Sequence, residues 1–134
     1  MSLPEPRAGL VIRYSYLWHR EARVGREEGV KDRPCAVVLA TRESRVAVVP
    51  LTTRPPSADT AALELPASIA KSMGLGERTC WIVVDEVNLF TWPGPDLRPA
   101  TRDRWSFGLL PPGITKTLVE GVRRQRERLM VTRR

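Results

Sequence analysis

Histidine and cysteine are scarce in this chain: His19 is the one histidine, and Cys35 and Cys80 are the two cysteines, among 134 residues. A closed structural zinc site draws four ligands, most often from those residue types. Three such side chains cannot build one within a single chain, so neither a structural metal nor a cofactor is expected. Both cysteines lie in valine-rich runs, where a small buried thiol is the common outcome in a reducing compartment, and free thiols are expected. Long apolar runs are missing too. None approaches the roughly 18 residues needed to cross a bilayer. The start, Met1 to Pro6, lacks the basic-then-apolar order of a signal peptide. These absences predict a cytoplasmic protein with no membrane partner. Repeats and low-complexity stretches are also lacking, and the length suits one domain over residues 1–134.

What is present is an ordinary apolar fraction of 42%, a charged fraction of 28% and a net charge of +7. Residues 120–134 hold six arginines (123, 124, 126, 128, 133 and 134) against two glutamates, and so four of those seven charges. A solvated helix face with a basic end accounts for this tail as well as phosphate binding does.

Alternating apolar residues from Leu10 to Trp18 predict a half-buried first strand. His19 to Asp32 is a charged loop without net charge. Cys35–Ala40 and Val46–Leu51 predict a hairpin of well-buried strands. After a loop over residues 52–60 come a short strand, Ala61–Leu65, and two turns of helix, Ala67–Met73, stopped at Gly74. Strands are predicted over Thr79–Asp85 and Asn88–Trp92, then a break at Pro93-Gly94-Pro95 and an irregular stretch to Pro112. Ile114, Leu118, Val122 and Leu129 recur at helical spacing and predict a final amphipathic helix with its arginines outside. The order argues for a mainly β, α+β protein: a compact barrel or curled sheet capped by helices.

Four features in sequence, a strand opening at Gly9, a charged glycine-containing loop, Arg33-Pro34 leading a valine-rich strand and then Pro50-Leu51-Thr52, resemble the PemK/MazF toxins of toxin–antitoxin systems. Val83-Val84-Asp85-Glu86 stands where that family ends a later strand in an Asp-Gln-like pair. The resemblance runs from about Gly9 to Leu129. It implies a curled antiparallel SH3-like barrel of the CcdB/MazF type with a C-terminal helix, a homodimer, and metal-independent cleavage of single-stranded messenger RNA at short sequences. It also implies an acidic antitoxin protein as partner, with operator DNA bound through the toxin–antitoxin complex.

Cleaving RNA in this way means removing a 2′-hydroxyl proton, stabilising charge on a phosphorane-like transition state and protonating the leaving oxygen. Arg33 matches the family's catalytic arginine, and a guanidinium stays cationic while its forked donors fit two phosphate oxygens. Thr52 matches the active-site serine or threonine. Alone it is a poor base, so its role is positioning or proton relay, or simply capping the turn before Pro55. Thr53 is an alternate. Glu28 falls where some relatives carry a functional glutamate and is the candidate general base, although about five extra loop residues let Glu27 take its place; either acid also suits an ion pair with Arg26 or Lys31. Asp85 is similar to an acid near the RNA path. Trp18, Trp81, Trp92 and Trp105, with Tyr14 and Tyr16, are aromatics able to stack on unpaired bases; most are expected in the core, and Trp92, beside Pro93-Gly94-Pro95, is the best candidate. His19 ends the first strand with one face packed, within reach of substrate in an extended reading. Two positions depart from the family: Asn88 replaces a basic residue and Val83 an arginine. A non-catalytic nucleic-acid-binding or regulatory module on the same fold is the alternative function, its binding carried by the basic tail.

Overall fold

Strands in which nearly every residue is apolar need cover on both faces, and the central strands here receive it. The structure, a computed structural model, describes residues 2–27, 29 and 31–134. It has β1 (Leu10–Tyr14), α1 (His19–Arg23), β2 (Arg33–Ala40), β3 (Arg45–Thr52), β4 (Ala62–Leu65) and α2 (Ala67–Ser72). There follow β5 (Cys80–Val83), β6 (Glu86–Thr91), β7 (Leu97–Arg98), β8 (Ser106–Leu109), α3 (Pro112–Arg124) and β9 (Leu129–Thr132). Alternate residues of β1, β2 and β3 feed two cores. Val11, Ala36, Val38, Ala47, Val49 and Leu51 join Leu118 and Val122 of α3 on one side. Ile12, Tyr14, Cys35, Val37, Val46, Val48 and Phe90 fill the other. There Tyr14 and Phe90 stack with ring centroids 4.6 Å apart. At roughly 25 cal/mol per Å² of apolar surface removed from water, these two cores are the main stabilising term.

The ladder runs β4-β5-β3-β2-β1-β7 without closing on itself, with β8 on β1 and β6 on β3. All pairings are antiparallel except β6 with β9, which is parallel. The protein is therefore mainly an antiparallel sheet with a few helices, as its sequence pattern predicts. One edge of β3 is shared: Arg45 to Val48 pair with β6, while Leu51 and Thr52 pair with β5. Pro50, which has no N–H to give to a ladder, falls at the switch. Between β5 and β6 the chain kinks at Val84-Asp85, pinned by three bonds. Val84 N–H reaches the Ala61 carbonyl (3.0 Å), Ala61 N–H the Asp85 carboxylate (3.2 Å), and Leu129 N–H the Asp85 carbonyl (3.0 Å).

Four predicted features are corrected. The first strand stops at Tyr14, not Trp18, because the N–H groups of Ser15 and Tyr16 go to the Asp96 and Tyr14 carbonyls and those of Leu17 and Trp18 to the Asn88 and Glu21 side chains, outside any ladder. The charged loop opens with α1, one turn of helix in which Glu21 Oε1 accepts the Trp18 N–H at 3.0 Å. The irregular stretch holds β7 and β8, each too short for a two-residue period to register, paired onto β1. The last helix ends at Arg124. Leu129 belongs to β9, where the β-prone run Leu-Met-Val-Thr finishes the open edge of β6. Among the described residues no helix is long and apolar enough to cross a membrane.

Candidate functional site

Arg33 opens β2 and Thr52 ends β3. The antiparallel register sets Cys35 opposite Pro50, and continuing it by one repeat brings Arg33 level with Thr52. Both border a cleft of about 630 Å³. Its wall also includes Tyr16, Trp18, Arg20, Glu21, Lys31 and Arg54. Four cations and one described carboxylate face one cavity, with hydroxyls from Thr52, Ser57 and Thr60 beside them. Such a lining favours an anionic ligand with hydrogen-bonding oxygens.

Arg33 is half buried, with its guanidinium carbon 5.1 Å from the centroid of Trp18 and its Nε enclosed without a hydrogen-bond partner. Burial lowers its affinity for the proton, and the nearby Arg20 charge works in the same direction, against the opposing influence of Cys35 and Glu21. An arginine so placed remains cationic at neutral pH, with undischarged donors. Thr52 Oγ1 accepts the Arg54 N–H at 3.1 Å, a turn bond that fixes Arg54 at the cleft rim. Glu21, the described carboxylate of the lining, caps α1 through one oxygen and lies 4.0 Å from Arg26 Nε through the other.

The segment that carries Trp18 into the cleft is held by β6 and by the C-terminus. Asn88, wholly buried, grips Leu17 at both backbone atoms: Leu17 N–H donates to Oδ1 at 2.9 Å and Nδ2 donates to the Leu17 carbonyl at 2.8 Å. Glu86 Oε1 accepts the Tyr16 hydroxyl and the His19 N–H, each at 3.1 Å. Burial raises the Glu86 carboxyl above the ordinary carboxylate range and holds the Tyr16 phenol protonated as a donor. Arg133 NH1 donates to the Ser15 carbonyl at 2.8 Å and to Asn88 Oδ1 at 2.9 Å. Its NH2 lies 3.1 Å from Asp96 Oδ2, an ion contact without hydrogen-bond alignment. Gly29 completes the fit, since a Cβ there would collide with the Tyr16 carbonyl.

Of the residues singled out from sequence, Arg33 and Thr52 meet in the cleft, and Val83 lines it. Thr53 and Glu27 are exposed outside the lining. Glu28 lies outside the described residues. Asp85 serves the kink between β5 and β6. His19 starts α1 instead of ending a strand. Trp92 borders a different hollow of about 510 Å³, with Leu3, Pro4, Thr41 and Arg42. Asn88 is a buried clip inside the sheet and not an empty place on a phosphate path. The basic tail is not uniformly solvated, because Arg133 is buried. Sequence reasoning ranked Trp18 below Trp92 and missed Arg20 and Arg54, which line the cleft with it. The available signal was Trp18 itself, an aromatic at the end of an alternating run and flanked two residues later by an arginine. Comparison with family models, with curated proteins and with solved structures finds no match to this chain.

Proposed function

We propose that this protein is an endoribonuclease toxin similar to the PemK/MazF family, cutting single-stranded RNA and leaving a 2′,3′-cyclic phosphate. The observation that carries the reading is the meeting of Arg33 and Thr52, from two different strands, in one basic cleft beside Trp18. In this reading the 2′-oxygen of a bound nucleotide attacks the adjacent phosphorus, the bond to the 5′-oxygen breaks, and a proton is delivered to that leaving oxygen. Arg33 lends its donors to the charge that develops on the phosphoryl oxygens. Thr52 hydrogen-bonds a phosphate oxygen or relays a proton, and Glu28 is the base that takes the 2′-hydroxyl proton. The antiparallel order of β5, β3, β2 and β1 supports a curled, SH3-like sheet. A homodimer, an acidic antitoxin lying in the cleft, and operator DNA bound through that complex belong to the same reading.

Incubation of the purified protein with mixed single-stranded RNA in EDTA should release discrete fragments with cyclic phosphate ends. RNA left intact across a broad set of sequences would overturn the proposal. A second reading, RNA binding without cleavage, is favoured by one observation: Glu21, the described acid in the lining, has both oxygens engaged. Tight binding of RNA that survives uncut would select it.

A further inference from the structure

Trp18 carries two cations. The guanidinium carbons of Arg20 and Arg33 lie 4.7 Å and 5.1 Å from its ring centroid. Tyr16 meets the same ring edge-on at 5.4 Å and fixes its orientation. An aromatic face attracts a cation but does not neutralise it, so two guanidiniums gathered on one indole still repel. Four of the described arginines have a carboxylate within ion-pair reach, Arg26 with Glu21, Arg98 with Asp32, Arg124 with Glu120 and Arg133 with Asp96. Among the described residues neither Arg20 nor Arg33 has a carboxylate oxygen within 4.0 Å. The nearest acid in the lining, Glu21, is directed to the Trp18 N–H and to Arg26. Lys31 and Arg54 add charge to the same wall, so its four cations outnumber Glu21, the carboxylate among the described lining residues.

We infer that Arg20 and Arg33 form one phosphate-binding site mounted on Trp18, with Arg20 a second phosphate ligand in addition to Arg33. The occupant is a phosphodiester of single-stranded RNA, and in that respect the inference rests on the function proposed above. The two guanidiniums offer donors from separate elements, α1 and the start of β2. An anion between them removes their mutual repulsion and gains charge-assisted hydrogen bonds from both. Arg20 is exposed, so its replacement leaves the two cores untouched.

The test uses a labelled RNA oligonucleotide with 2′-O-methyl groups, which cannot be cut, and fluorescence anisotropy over a range of salt. Arg20→Gln should bind roughly tenfold more weakly at low salt, and its log–log salt slope should fall by about 0.7, the share of one phosphate contact on a single strand. Arg20→Lys should keep the slope while losing part of the affinity. Urea midpoints of both variants should equal that of the unaltered protein. Binding by Arg20→Gln with unchanged affinity and slope would overturn the site while leaving the RNA reading intact. If the unaltered protein binds no RNA, calorimetry with inorganic pyrophosphate separates the two claims. Binding that is lost in Arg20→Gln keeps the anion site without RNA, and no binding overturns the site as well.

Discussion

Arg33 and Arg133 each lay a guanidinium over an aromatic ring, Trp18 at 5.1 Å and Tyr14 at 5.4 Å, yet the partners around them differ. Arg133 is enclosed, its side chain and that of Asp96 each 4% exposed, and its donors go to the Ser15 carbonyl, to Asn88 and toward Asp96. Arg33 borders an open cleft, with no carboxylate within 4.0 Å among the described residues and an Nε without a partner. Each has one enclosed nitrogen without a hydrogen-bond partner, Arg133 NH2 and Arg33 Nε, but Arg133 makes two hydrogen bonds and an ion contact inside the fold, and among the described residues the Arg33 side chain makes none. Residue type, ring contact and an unpartnered nitrogen do not separate the two arginines; the bonds made by the rest of each guanidinium do.

The sharpest way to break that comparison is to remove Arg133. Arg133→Ala strands Asp96 in the interior and frees Ser15 and Asn88, and loss of one partner from a buried pair costs about 3–5 kcal/mol. Urea unfolding should show a shift of that size. A shift of about 0.5 kcal/mol or less, the range of ordinary surface substitutions, would place Arg133 with the solvated arginines. A smaller effect is expected at Thr52. Thr52→Val deletes the hydroxyl and should slow RNA cleavage about tenfold, the equivalent of roughly 1.4 kcal/mol, whereas Thr52→Ser should restore it. Equal rates for the valine variant and the unaltered protein would remove Thr52 from the site.

The smallest effect concerns the clamp behind Trp18. Burial raises the Glu86 carboxyl, opposed by the bonds from His19 N–H and the Tyr16 hydroxyl. A group that holds its proton more tightly when folded adds stability below its unfolded-state pKa. It loses that contribution as pH rises through the folded value. Glu86→Gln keeps an acceptor for both donors and carries no charge at any pH. Its stability relative to the unaltered protein should therefore grow as pH is raised from about 4 toward 7. Urea midpoints that stay parallel across that range would contradict the assignment of a raised carboxyl.

The valine runs of β2 and β3 were legible because residues buried on both faces leave an uninterrupted apolar signature, and α2 was legible through its glycine stop. α1, β7, β8 and β9 were not, since each is two to five residues long and is held by partners distant in sequence. Arg33 and Thr52 were singled out through the resemblance to the PemK/MazF toxins, strand position alone being too common to mark them, and both line one cleft. Nothing local distinguishes Arg133 from the other arginines of the tail. Its burial follows from β9 pairing with β6, where the Arg133 N–H meets the Leu89 carbonyl at 2.7 Å. Asn88 is the same case: a polar residue between Val87 and Leu89 reads as a surface position until its grip on Leu17 is seen. Choosing Trp92 over Trp18 for stacking followed the neighbouring Pro-Gly-Pro, whereas the cleft is set by which strand ends converge.

In the proposed function Arg33 keeps its donors for RNA. That role is tested most directly by measuring cleavage under single-turnover conditions for Arg33→Lys, with the urea midpoint of the same preparation. Lysine keeps the charge but loses the fork. The expected result is an unchanged midpoint with cleavage slowed roughly 10²–10³-fold, the usual cost of a lost transition-state donor. Cleavage at the full rate by Arg33→Lys, or a collapsed midpoint like that expected for Arg133→Ala, would contradict it.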